Sequence, residues 1–159
     1  MEILRNKDSD FAEIVDWKYE PKFEPINTEY GELNIHYIDE GSENAKTVLL
    51  LHGEPTWGYL YRKFVDPLVA NGLRVIVPDL PGFGKSDKLS ERDGYTYEKY
   101  VDWMNIWLNN LNLNQVTLFG QDWGGLIGLR LVVKNQERFS SVVVSNTGLP
   151  TGERPLGEA

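Results

Sequence analysis

The chain has 159 residues, a length that suits one domain with a true core and excludes two ordinary ones. It is 41% hydrophobic and 25% charged, with no cysteine and a formal net charge of −8, which excludes disulfides and thiolate metal sites and disfavours non-specific binding to nucleic acid or an anionic membrane. No apolar run approaches the roughly 20 residues that span a bilayer, and the N-terminal MEILRNKDSDFAEI lacks a secretory apolar stretch, so the expected location is cytoplasmic.

Residues 33–40 (LNIHYIDE) alternate apolar and polar positions, which predicts a half-buried strand. The apolar run at 46–51 (KTVLLL) is too short for a helix and predicts a buried strand. After the turn HGEPTW, Leu60, Phe64 and Leu68 recur at helical spacing over 57–71, and Asn71-Gly72 ends the segment. Residues 73–78 (LRVIVP) predict the next strand, with the loop DLPGFGKSD behind it. The segment 96–111 predicts an amphipathic helix rich in aromatics (Tyr100, Trp103, Trp107), capped by Thr96 with Glu98 in its first turn. A strand at 115–119 (QVTLF), the sharp turn GQDWGG, a helix at about 123–135 and a strand at about 140–145 (SSVVVS) follow. Strands separated by helices predict a mostly parallel sheet covered by helices on both faces. Residues 1–148 are expected to form this core, and the Gly- and Pro-rich 149–159 a linker.

Strand, then Gly120-Gln121-Asp122-Trp123-Gly124-Gly125, then helix, is the Gly-x-nucleophile-x-Gly elbow with aspartate at its centre. The flanking glycines leave room for a tight turn in which the central residue is strained and its side chain projects from the strand end. The helix N-terminus below supplies free N–H groups that favour a carboxylate. Aspartate changes the chemistry that serine would give. A carboxylate is ordinarily ionised at neutral pH, so it attacks carbon without a base to deprotonate it, which suits displacement at a saturated carbon and yields an alkyl ester. The bland alternative is that Asp122 only caps the helix.

The turn His52-Gly53-Glu54-Pro55-Thr56-Trp57 follows the buried strand and occupies the place of an oxyanion loop. The backbone N–H groups of Glu54 and Trp123 are therefore the candidate oxyanion donors. His52 reads as a structural histidine bonding neighbouring backbone. The Trp123 indole N–H, set in apolar surface beside the nucleophile, suits a departing halide, whereas Trp17, Trp57, Trp103 and Trp107 read as packing residues. Gly82-Phe83-Gly84-Lys85-Ser86 fails as a phosphate loop. A Walker A motif needs glycine where Asp79 stands, and a dinucleotide fingerprint needs one where Asp87 stands. Two histidines on different strand ends and no cysteine give no metal-ligand cluster.

With HGEPTW, PDLPGFGKSDK, GQDWGGLIGLR and NTGLPTG in this order, the chain closely resembles the haloalkane dehalogenases from about residue 20 to 152. It looks most like the subgroup with Glu in the oxyanion loop and Gln before the nucleophile. Related epoxide hydrolases and fluoroacetate dehalogenases tend to carry His before the nucleophile and an aromatic residue in place of Glu54. The resemblance implies a three-layer α/β-hydrolase fold with a mostly parallel sheet, here truncated after about six strands and without its cap domain. It also implies hydrolysis of a small apolar halogenated substrate to alcohol, halide and proton, with no cofactor. Asp122 would be the nucleophile, Trp123 one of two halide donors, and Glu54 and Trp123 the oxyanion N–H donors.

The family completes its site with a helical cap, a further carboxylate and a histidine beyond the elbow, so a C-terminal remainder is the expected partner. No histidine follows His52. Activation of water needs a base, and His36 is expected far from the elbow, so the chain is expected to form the ester and stop. SSVVVS is expected as an exposed sheet edge. Two other readings stand beside this one: a fragment of an epoxide hydrolase-like enzyme, and a non-catalytic domain that completes its sheet with a partner chain.

Overall fold

The structure, a computed structural model, describes residues 1–148, so the linker expected at 149–159 lies outside the described residues. The strands are β1 (Ile3–Leu4), β2 (Lys22–Thr28), β3 (Gly31–Glu40), β4 (Thr47–Leu51), β5 (Arg74–Pro78), β6 (Lys88–Leu89), β7 (Val116–Gln121) and β8 (Phe139–Ser145). The helices are α1 (Arg62–Ala70), α2 (Tyr97–Asn110) and α3 (Trp123–Lys134). Six strands make one sheet in the order β2-β3-β5-β4-β7-β8, while β1 and β6 pair as a small separate ribbon.

The sheet is mixed. The pairs β5/β4, β4/β7 and β7/β8 are parallel, and β2/β3 and β3/β5 are antiparallel. Helices cover both faces, as the alternation of strands and helices requires. On one face Leu49, Leu51, Ile76 and Leu118 meet Trp103, Met104 and Trp107 of α2 and Ile127 and Leu131 of α3. On the other, Val48, Leu50, Val75 and Val77 meet Tyr61 and Val65. Odd and even positions of β4 thus serve opposite layers, which is why its sequence is apolar throughout. Each fully buried Leu or Val contributes roughly 1.5–3 kcal/mol relative to exposure.

The capped helix forms as its sequence indicates. Thr96 Oγ1 accepts from the Lys99 N–H at 3.2 Å, and Val101, Met104 and Leu108 share the buried face with Trp103 and Trp107. The helix expected at 57–71 differs. Residues Gly58–Tyr61 form a 3-10 turn before α1 begins at Arg62. Tyr61 and Val65 face the core, whereas Leu60 and Phe64 are exposed.

The edge strand β8 is apolar and bare. Its residues 140–144 are all exposed, Val142, Val143 and Val144 at 41%, 46% and 52%. Among the described residues no helix is long and apolar enough to cross a membrane.

Candidate active site

The elbow places Asp122 at the carboxyl end of β7, between that strand and the first turn of α3. Its backbone takes φ 53° and ψ −124°, a left-handed conformation that costs a non-glycine residue of order 1–3 kcal/mol. Several contacts hold it there. The Asp122 carbonyl accepts from the Gly125 N–H at 3.0 Å, the Leu126 N–H at 3.2 Å and the Thr147 hydroxyl at 2.7 Å. Its own N–H donates to the Ser145 carbonyl at 3.3 Å. A side chain on Gly124 would collide with the carbonyls of Leu51 and His52, so the elbow closes only over glycine there.

The carboxylate is not spent on the helix. Asp122 stands at the N-cap position of α3 but makes no side-chain capping bond. Instead Oδ1 accepts the Glu54 backbone N–H at 2.9 Å, while Oδ2 has no protein partner among the described residues. The other expected oxyanion donor, the Trp123 N–H, opens α3 and by position has no intrahelical acceptor. The structure therefore brings together all three residues singled out in the sequence: Asp122, Glu54 and Trp123.

The Trp123 side chain is 36% exposed. Its indole N–H has no hydrogen-bond partner among the described residues, and its ring stands edge-on to Tyr97 at 6.1 Å. Tyr97 is itself anchored, its hydroxyl donating to the Leu126 carbonyl at 2.8 Å. Beside the elbow lies a cavity of about 60 Å³, lined by Gly53, Glu54, Leu80, Phe83, Tyr100, Trp123 and Ile127. That is space for roughly two water molecules or a short alkyl group. Glu54, Phe83 and Tyr100 also wall an adjoining open groove of about 580 Å³. A separate cavity of about 600 Å³ is lined by Trp17, Tyr19, Arg62 and Asp66 among others and shares none of these residues.

Neither histidine reaches the carboxylate. His52 is buried; its Nε2 accepts the Leu80 N–H at 2.9 Å, so Nδ1 carries the proton and donates to the Gly53 carbonyl at 2.9 Å. Burial pushes its pKa below the ordinary value of 6.5, with nearby Asp79 and the Gly53 bond opposing in part. His36 lies on β3, separated from β7 by β5 and β4, and its Nδ1 pairs with Asp79 Oδ2 at 2.8 Å. The Gly-rich loop cradles an anion after all, but an internal one. Asp79 Oδ2 also accepts the Lys85 N–H at 2.8 Å, and Oδ1 accepts the Gly58 N–H at 2.8 Å. No group of three metal-ligating side chains converges among the described residues.

Sequence reasoning did not single out Thr147, Tyr97, Leu80, Phe83, Tyr100 or Ile127 as site residues. Only Ile127, five residues after Asp122 on α3, carried a positional signal; the others arrive from separate segments.

The sequence pattern of the α/β-hydrolase fold family matches residues 46–157. The chain is 55% identical over 159 residues to a haloalkane dehalogenase of Psychrobacter cryohalolentis, covering 99% of this chain and 52% of that protein. It is 45% identical to one from Mycolicibacterium paratuberculosis, covering 97% and 52%. Among solved structures it is similar to the tetrameric haloalkane dehalogenase DpaA of Paraglaciecola agarilytica, with a TM-score of 0.91 and 38% identity over 99% of this chain and 53% of that one. The chain thus spans about half the length of the curated relatives it matches. Glycine-flanked elbow, mixed sheet and matched sequence pattern agree: this chain belongs to the α/β-hydrolase fold family, and within it resembles the N-terminal portion of haloalkane dehalogenases.

Proposed function

We propose that Asp122 is a nucleophile that displaces halide from the saturated carbon of a small apolar haloalkane. The observation that carries this reading is the unspent carboxylate on the strained elbow, with Oδ1 held by the Glu54 N–H and Oδ2 without a protein partner among the described residues. Oδ2 attacks carbon; the C–O bond forms as the carbon–halogen bond breaks, and its electron pair leaves with the halide. The Trp123 indole N–H receives that halide, and Leu80, Phe83 and Ile127 supply apolar walls. In the ester, Oδ1 becomes the carbonyl oxygen and keeps its Glu54 donor. The hole for the later tetrahedral anion, with the Trp123 N–H as second donor, is thus laid out beforehand.

Hydrolysis of the ester needs a base to activate water. Both nitrogens of His52 are engaged by backbone, and His36 lies three strands away on the Asp79 side of the sheet. We assign the base to a C-terminal remainder of the kind by which the relatives exceed this chain. Residues 1–148 are then the nucleophile-bearing part of a cytoplasmic enzyme that needs no cofactor, and the chain by itself halts at the ester.

Halide release is the test. A bromoalkane should liberate bromide in a single burst that does not recur, and Asp122→Asn should abolish the burst. A covalent adduct with an epoxide but none with haloalkanes would transfer the assignment to an epoxide hydrolase-like chemistry.

A further inference from the structure

Asp79 has no part in the chemistry above, yet it is fully buried and carries three hydrogen bonds from three separate segments. Its donors are the Gly58 N–H at the end of the oxyanion loop, the Lys85 N–H of the Gly-rich loop and His36 Nδ1 of β3, each at 2.8 Å. The oxyanion loop is pinned at its other end too, where the His52 Nδ1–H holds the Gly53 carbonyl at 2.9 Å. Between these pins lies Glu54, whose N–H meets Asp122 at 2.9 Å. Within the loop an additional backbone tie is the bond from the Thr56 N–H to the Gly53 carbonyl, long at 3.3 Å. The Glu54 N–H is thus restrained from both ends of the loop, with the Trp57 ring packed on Phe11, Trp17 and Tyr59 beside the Asp79 end.

We propose that Asp79 is the positioning residue that aims the Glu54 N–H at the nucleophile. Its catalytic consequence rests on Asp122 being that nucleophile; its structural content does not. Only a carboxylate fits the place. Asparagine keeps one acceptor oxygen and sets an NH2 group against the N–H donors that remain, so at least one arm must let go. If the Gly58 arm lets go, a buried N–H loses its acceptor and the loop moves to recover one. A displacement near 1 Å at Glu54 takes a 2.9 Å bond beyond hydrogen-bonding range.

The test compares Asp79→Asn with Asp87→Asn. Asp87 is a second buried carboxylate on the same Gly-rich stretch; its Oδ2 accepts the Asn34 N–H at 2.8 Å and Arg5 Nε at 3.2 Å, and it does not touch the oxyanion loop. The readout is the Glu54 backbone amide resonance, referenced to its position in Asp122→Asn. It should move toward that reference in Asp79→Asn and stay in place in Asp87→Asn. Ester formation from a bromoalkane should slow at least about tenfold in Asp79→Asn, while bromide quenching of Trp123 fluorescence keeps its affinity. An unmoved Glu54 amide, or an equal movement in Asp87→Asn, overturns the proposal. Should Asp79→Asn not fold, His36→Gln weakens one arm only and must move the Glu54 amide the same way by less; no movement there is equally fatal. If the unaltered chain forms no ester, the nucleophile reading falls, and the amide measurement still decides the positioning role.

Discussion

Two atoms of one side chain divide the labour at the centre of this site. Oδ1 of Asp122 is tied to the Glu54 N–H, and Oδ2 has no protein partner among the described residues. That division depends on Gly53, because a Cβ at that position would run into the Asp122 carboxylate. Gly53→Ala should leave the sheet folded, since it introduces no unfavourable φ. It should slow ester formation by about a hundredfold, the scale of loss for an angstrom-level displacement of a reacting group, as measured by bromide release under single-turnover conditions.

His52 gives a second prediction at this scale. Its folded-state pKa is depressed by burial below 6.5, so the unfolded chain binds the proton more readily than the folded one. The stability this residue contributes is complete above pH 6.5 and is lost as pH falls from there through the lower folded-state value. His52→Gln should therefore lower the melting temperature near neutral pH but flatten its decline through the mildly acidic range, as followed by thermal melts across pH. The placement of Asp122 and Trp123 was legible because one local motif fixes both against the backbone, and that of Glu54 because a second short motif follows the neighbouring parallel strand β4. Asp79 was not, because its partners come from β3 and two loops, and its sequence signal served only to exclude a phosphate loop.

At the scale of elements, the strands with clear periodicity formed where periodicity put them, β3, β4, β5, β7 and β8 among them. The strand β2 gave no such signal. Its residues KFEPINT hold only Phe23 and Ile26 as large apolar groups, with Pro25 between them. Proline is tolerated because β2 lies at the sheet edge, where one side of the backbone needs no ladder partner. The buried face of α1 is likewise not given by spacing alone. Leu60 and Phe64 have core-like spacing, but Tyr61 and Val65 take the sheet, leaving Phe64 exposed beside Phe119 at a 6.0 Å ring separation.

The other edge, β8, presents Val142, Val143 and Val144 without a charged gatekeeper. Val143→Lys should change thermal stability by less than about 0.5 kcal/mol, as exposed substitutions do. It should also raise the concentration at which the chain stays monodisperse in size-exclusion chromatography with light scattering. An unchanged aggregation threshold would show that this edge is not the sticky surface.

At the scale of the molecule, the sheet divides the work between its strands. The parallel strands β4 and β7 bring the Glu54 loop and Asp122 to one end, where open parallel sheets present their ligands. The antiparallel strands β2 and β3 close the opposite side of the sheet and hold His36, which is why a histidine count alone could not say whether a base was at hand. On the proposed reading, the parts assembled here serve the first displacement and not release of its product. Mass spectrometry of the denatured chain after incubation with 1-bromobutane tests this most directly. One butyl adduct per chain is expected, persistent, located on the peptide containing Asp122 and absent from Asp122→Asn. An unmodified chain, or an adduct on any other residue, would contradict it.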